Sequence, residues 1–156
     1  MTIATHYLQH LPPELMSISD STWEQVNNST SGTTVYSGQW NGLPCFLKIT
    51  PQQHPHSVAE EFERLCWLRN YAPIPDVLAF ASNDEYAYLI TESIAGVPIM
   101  ASHLPMPQRL RQYGQIMRDF HDMPLHAFEM MSVMTPEMQI TRAYQALEAG
   151  MVQPHN

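Results

Sequence analysis

Tyr36-Ser37-Gly38-Gln39-Trp40-Asn41-Gly42-Leu43-Pro44-Cys45-Phe46-Leu47-Lys48-Ile49-Thr50 is the stretch that decides the fold. Asn41-Gly42 at its centre is the strongest hairpin signal in the chain, because both central residues of a type I′ turn need φ > 0. The turn predicts Tyr36–Trp40 and Pro44–Thr50 as antiparallel neighbours. The second arm is an apolar run, buried on at least one face, and it contains Lys48, the one lysine in a chain with six arginines. A buried ammonium must find an anionic partner or lose its proton, since desolvation is costly. A nearby carboxylate and a ligand's phosphates would both serve. A stem that snorkels to solvent from an edge strand would avoid the problem.

Upstream, Thr33-Thr34-Val35-Tyr36 is a β-branched and aromatic strand, Asn27–Gly32 a small polar turn, and Trp23-Glu24-Gln25-Val26 the opening of the β-rich stretch. Residues 1–20, broken by Pro12-Pro13, read as a short helix or an extended lead-in. Downstream, Pro51 to Ser57 is a proline- and histidine-rich loop. Ser57-Val58-Ala59-Glu60 has capping-box spacing and starts a helix running to about Asn70. Phe62, Leu65, Cys66 and Leu68 form its apolar stripe. Glu61 projects from the same side, with Glu60, Glu63 and Arg64 further toward solvent.

Val77–Ala81 and Tyr86–Thr91 are predicted strands joined by Ser82-Asn83-Asp84-Glu85, and Gly96 and Pro98 end the sheet. Pro107 opens a helix with Leu110, Tyr113, Met117 and Phe120 at helical spacing. Thr135-Pro136 starts another, with Ile140, Tyr144 and Leu147 on one face. The order predicts an α+β fold in which a small antiparallel sheet carries one helix. The last two helices have little sheet left to cover and look like the beginning of an incomplete helical lobe. The division is placed at residues 1–96 and 97–156.

The chain has 156 residues and a formal net charge of −8, with 15 acidic residues against 7 basic. That balance argues against nucleic acid or an anionic membrane as a partner. No run approaches a membrane span and the start has no secretory pattern, so a cytoplasmic protein with two reduced cysteines is expected. His54-x-His56 lacks nearby carboxylate or thiol ligands and reads as a solvated loop rather than a metal site.

Four features converge on Lys48. The polar turn before it is built of small residues that let backbone N–H groups approach phosphates. Lys48 would contact the first phosphates of a nucleotide. Glu61, on the packed side of the next helix, would orient it; a structural ion pair with no ligand fits the same spacing. A strand leaving the sheet within Leu89–Gly96 would offer free backbone N–H and C=O groups to an adenine edge, and Phe46 lies on Lys48's own face, where its ring would pack on that base.

In order and register over roughly residues 20–152, several segments resemble the aminoglycoside 3′-phosphotransferase family. They are Ser31-Gly32-Thr33-Thr34-Val35-Tyr36, Phe46-Leu47-Lys48-Ile49, Glu61 with Trp67-Leu68, Pro73-Ile74-Pro75-Asp76-Val77, Gly96-Val97-Pro98, Met117–Pro124 and Glu148–Val152. The resemblance implies a protein-kinase-like N-lobe followed by the first helices of a C-lobe. It implies ATP as phosphoryl donor and an aminoglycoside hydroxyl as acceptor, hence antibiotic resistance. Carried over by position, Lys48 matches the phosphate-binding lysine and Glu61 its helix partner. Ser29, Thr30, Ser31, Gly32 and Thr33 match the nucleotide-positioning loop, Phe46 the aromatic on adenine, and Glu92 and Ile94 the backbone contacts to the base.

Phosphoryl transfer also needs a residue that aligns the nucleophile and carboxylates for Mg²⁺. None of the eight histidines is followed two places on by aspartate, and Asp119-Phe120-His121 lacks the glycine of a DFG motif. The family's catalytic half follows the segment resembling Glu148–Val152. The expectation is therefore a truncated kinase, inactive by itself and without catalytic or metal-ligating residues of its own. The alternative is a natural stand-alone lobe, a non-catalytic nucleotide-binding or protein-interaction module. Met123, Met130, Met131, Met134 and Met138 would then leave a methionine-rich surface prone to self-association.

Overall fold

The computed structural model describes residues 3–26, 32–54, 57–123 and 136–148. Within them β1 (Trp23–Gln25), β2 (Thr34–Trp40), β3 (Leu43–Pro51), β4 (Val77–Ser82) and β5 (Tyr86–Glu92) form one antiparallel sheet in the order β1-β2-β3-β5-β4. The hairpin forms as predicted. Asn41 and Gly42 have φ of 50° and 79°, and Trp40 faces Leu43 across the two-residue turn. β3 is therefore the middle strand, which removes the edge-strand reading of Lys48.

Strand alternation splits the sheet into two faces. Cys45, Leu47 and Ile49 of β3 and Tyr88 and Ile90 of β5 point into one core cluster. Phe46, Lys48 and Thr50 point the other way, toward α2 (Val58–Leu68), the second helix after a short α1 (Thr5–Leu8). On that side Val58, Ala87 and Leu89 are buried, with Phe62, Leu65, Val77 and Phe80 packed around them. The Phe62 and Phe80 rings stack at 4.3 Å and 5°.

Ser57 caps α2, its hydroxyl accepting the Ala59 N–H at 3.1 Å. Thr50 Oγ1 accepts the Val58 N–H at 3.1 Å and fastens the helix start to β3. Two expectations for this helix are corrected. Cys66 is exposed, because the helix turns it away from the sheet. Glu60 is half-buried, its carboxylate held by Arg64 one turn on at 3.2 Å.

The face opposite α2 is covered by the N-terminal segment. Ile3, Leu15 and Ile18 are buried in the main core beside Trp23 and Tyr36. A 3₁₀ segment, Pro13–Asp20, carries two of them. Trp23 Nε1 donates to the Ile18 carbonyl at 3.0 Å. Trp40 Nε1 donates to Ser17 Oγ at 2.9 Å. The lead-in is thus a structural layer.

Beyond β5 the chain runs through a short 3₁₀ turn, Ile99–Ala101, into α3 (Met106–His121); α4 (Pro136–Glu148) follows. Leu110, Tyr113, Ile116 and Phe120 of α3, and Ile140, Tyr144 and Leu147 of α4, are exposed. Of the methionine-rich surface, Met130, Met131 and Met134 lie outside the described residues.

Candidate nucleotide site

The hairpin register sets what surrounds Lys48. It faces Val35 on β2 and Leu89 on β5, while Phe46 faces Ser37 and Thr91. Directly paired residues share a face, so all six lie on the α2 side of the sheet. The side chains of Val35, Ser37, Leu89 and Thr91 had no role in the site as read from the sequence. Counting outward from Asn41-Gly42 would have found the first two. Thr91 is 3% exposed, a polar group in the sheet face beside Phe46.

Lys48 Nζ donates to Glu61 Oε1, the contact expected from sequence. Its basis is local on both sides: β3 alternation aims the lysine at α2, and the Ser57 cap sets the helix phase that turns Glu61 toward it. The side chains are 26% and 38% exposed. A pair this open to water adds only about 0–1 kcal/mol of stability. Its main effect is to fix the direction of the ammonium, which has three N–H donors and spends one on Glu61.

The remaining predicted site residues divide. Gly32 has φ of 74°, as a tight turn into β2 requires, and Thr33 follows it. Ser29, Thr30 and Ser31 lie outside the described residues. Phe46 is half-buried on Lys48's face. At the end of β5 the backbone is partly committed: the Glu92 N–H donates to the Asp76 carbonyl at 2.9 Å and the Ser93 N–H to the Pro44 carbonyl at 3.0 Å. The Glu92 N–H is therefore spent and cannot serve a ligand. Ile94 is exposed, and among the described residues no backbone bond engages its N–H.

His54 departs from the solvated-loop reading. Its ring is packed so closely on Gly32 that a Cβ there would lie 2.3 Å from Nε2. His56 lies outside the described residues. Among the described residues no group of three His, Cys, Asp or Glu side chains gathers to hold a metal. Cys45 is buried in the opposite face, where burial pushes its thiol pKa up.

A five-stranded antiparallel sheet backed by one helix, with a middle-strand lysine paired to a glutamate of that helix, is the architecture of a kinase-like lobe. No protein-family model matches the chain. It is 26% identical over 147 residues to an aminoglycoside 3′-phosphotransferase of Niallia circulans, spanning 92% of this chain and 55% of the relative. It is 31% identical over 115 residues to the enzyme of that name from Streptomyces fradiae, spanning 66% and 42%. The crystal structure of an aminoglycoside-3′-phosphotransferase of type VIII superposes with a TM-score of 0.67 at 25% identity, over 85% of this chain and 50% of that one. The chain is thus similar in sequence to aminoglycoside 3′-phosphotransferases and shares the kinase-like fold of the solved one. It spans about half the length of the curated relatives it matches.

Proposed function

We propose that this chain is the ATP-holding part of an aminoglycoside phosphotransferase, acting in the cytoplasm to inactivate an antibiotic. The observation that carries the reading is the Lys48–Glu61 contact on the same sheet face as Phe46. Lys48 would take the inner phosphates. Phe46, with Val35 and Thr91 beside it, would take the base, and the Glu92 carbonyl and Ile94 N–H would take the base's edge. Residues 29–33 would, by the resemblance, serve as the nucleotide-positioning loop. In this reading residues 1–96 are the nucleotide lobe and 97–156 lead into the second lobe.

When bound, ATP supplies the γ-phosphoryl group that passes to an aminoglycoside hydroxyl. This chain's residues would bind and orient it; alignment of the nucleophile and ligation of Mg²⁺ are assigned to residues outside this sequence. The sequence has no histidine followed two places on by aspartate. The purified 156-residue chain is expected to release no ADP when mixed with ATP, Mg²⁺ and a panel of aminoglycosides. Turnover would overturn that assignment.

Binding is tested separately with a fluorescent ATP analogue. Lys48→Ala removes a charged donor and should weaken binding by about tenfold or more, with Glu61→Gln losing less. Equal affinities for wild type and Lys48→Ala would remove Lys48 from the site.

A further inference from the structure

The root of the nucleotide loop, where Gly32 leads into β2, is touched from two directions. From the N-terminal layer, the Tyr7 hydroxyl and Thr34 Oγ1 share a hydrogen bond of 2.8 Å. Tyr7 is itself held. Its carbonyl accepts from the Tyr88 hydroxyl at 3.2 Å, and its ring meets Tyr86 edge-on at 5.1 Å. Next to it, the Ala4 N–H donates to the Tyr36 hydroxyl at 3.3 Å. From the β3–α2 connection, the His54 ring covers Gly32, and the His54 N–H closes a turn onto the Pro51 carbonyl at 3.0 Å.

We propose that Tyr7 and His54 are positioning residues that brace Gly32–Thr34, making nucleotide affinity depend on the N-terminal segment and on the β3–α2 connection. The proposal rests on the nucleotide reading above. Its physical basis is preorganisation: backbone N–H groups bind phosphates well only if the loop need not be ordered at the moment of binding, since that ordering is subtracted from the affinity. A brace at Gly32–Thr34 holds the start of β2 in place without touching the ligand. It also explains why position 32 must be glycine on two counts, the positive φ and the ring above it.

The test uses the whole chain with Tyr7→Phe, which keeps the ring and removes the hydroxyl, and with His54→Ala. Thr34→Val removes the same hydrogen bond from the strand side, should Tyr7→Phe fold poorly. Amide exchange at Gly32, Thr33 and Thr34 should rise about three- to tenfold relative to the wild-type chain, the worth of one hydrogen bond, and by no less than any rise at the buried Ala87–Ile90. Affinity for the ATP analogue should fall by a similar factor, with an unfolding midpoint lowered by no more than the loss of one hydrogen bond. Unchanged exchange at the root would overturn the brace whatever nucleotide does. Faster exchange with undiminished affinity would overturn its link to binding. If wild type binds no analogue, the nucleotide reading fails and the link to affinity fails with it, and the exchange result alone decides the brace.

Discussion

Lys48 and Tyr88 illustrate two ways a single buried or half-buried group acts. Lys48 lies at the edge of solvent and is directed by Glu61, so its substitution should affect binding more than folding. Tyr88 is fully buried and its hydroxyl donates to the Tyr7 and His10 carbonyls. Burial pushes its pKa from 10 up to about 12. Below the unfolded value of 10, both states keep the proton and the stability contributed is complete. As pH rises from 10 to about 12 the unfolded chain ionises first, so stability is lost across that window. Tyr88→Phe should therefore show a shallower alkaline fall in unfolding midpoint than wild type. Parallel curves would mean that Tyr88 is not the group responsible.

At the scale of elements, the β2–β3 hairpin is specified by its own residues. Its turn, its register and the face of every side chain follow from Asn41-Gly42 and period-two alternation. Two of its glycines serve different ends. Gly42 has a positive φ but open space where a Cβ would go, so Gly42→Ala meets backbone strain alone, about 1 kcal/mol. Gly38 faces Trp23 across the β1–β2 pair, and a Cβ there would lie 2.6 Å from the Trp23 ring and 2.8 Å from the Thr22 carbonyl. Trp23 is buried and cannot retreat, so Gly38→Ala should cost about 1–3 kcal/mol. Urea midpoints of the two variants check the order, and a Gly42→Ala loss exceeding that of Gly38→Ala would contradict it. Helix α2 was legible in its cap and in Glu61, but not in Cys66. Apolar spacing alone does not say how wide a stripe the sheet will cover.

At the scale of the molecule, apolar periodicity and burial part company. Leu110 of α3 lies on a regular apolar stripe yet is exposed, whereas Ile18, in a segment with no clear pattern, is completely buried. Ile18→Ala should cost about 2–5 kcal/mol, measured by urea unfolding. Leu110→Ala should change stability by about 0.5 kcal/mol or less. A reversed ranking would place the core elsewhere. The sequence by itself determined the strands, the hairpin register, helix α2 and the candidate pair Lys48–Glu61. Each is set by residues near one another in sequence, through φ preferences, capping and alternation. Only the tertiary structure decided that β3 is the middle strand, that the N-terminal segment covers the second face, that the Glu92 N–H is already spent and that His54 lies on Gly32. These depend on contacts such as Tyr88 to Tyr7, 81 residues apart. Packing of that kind is settled by which apolar surfaces the whole chain can bury together, and no local pattern encodes it.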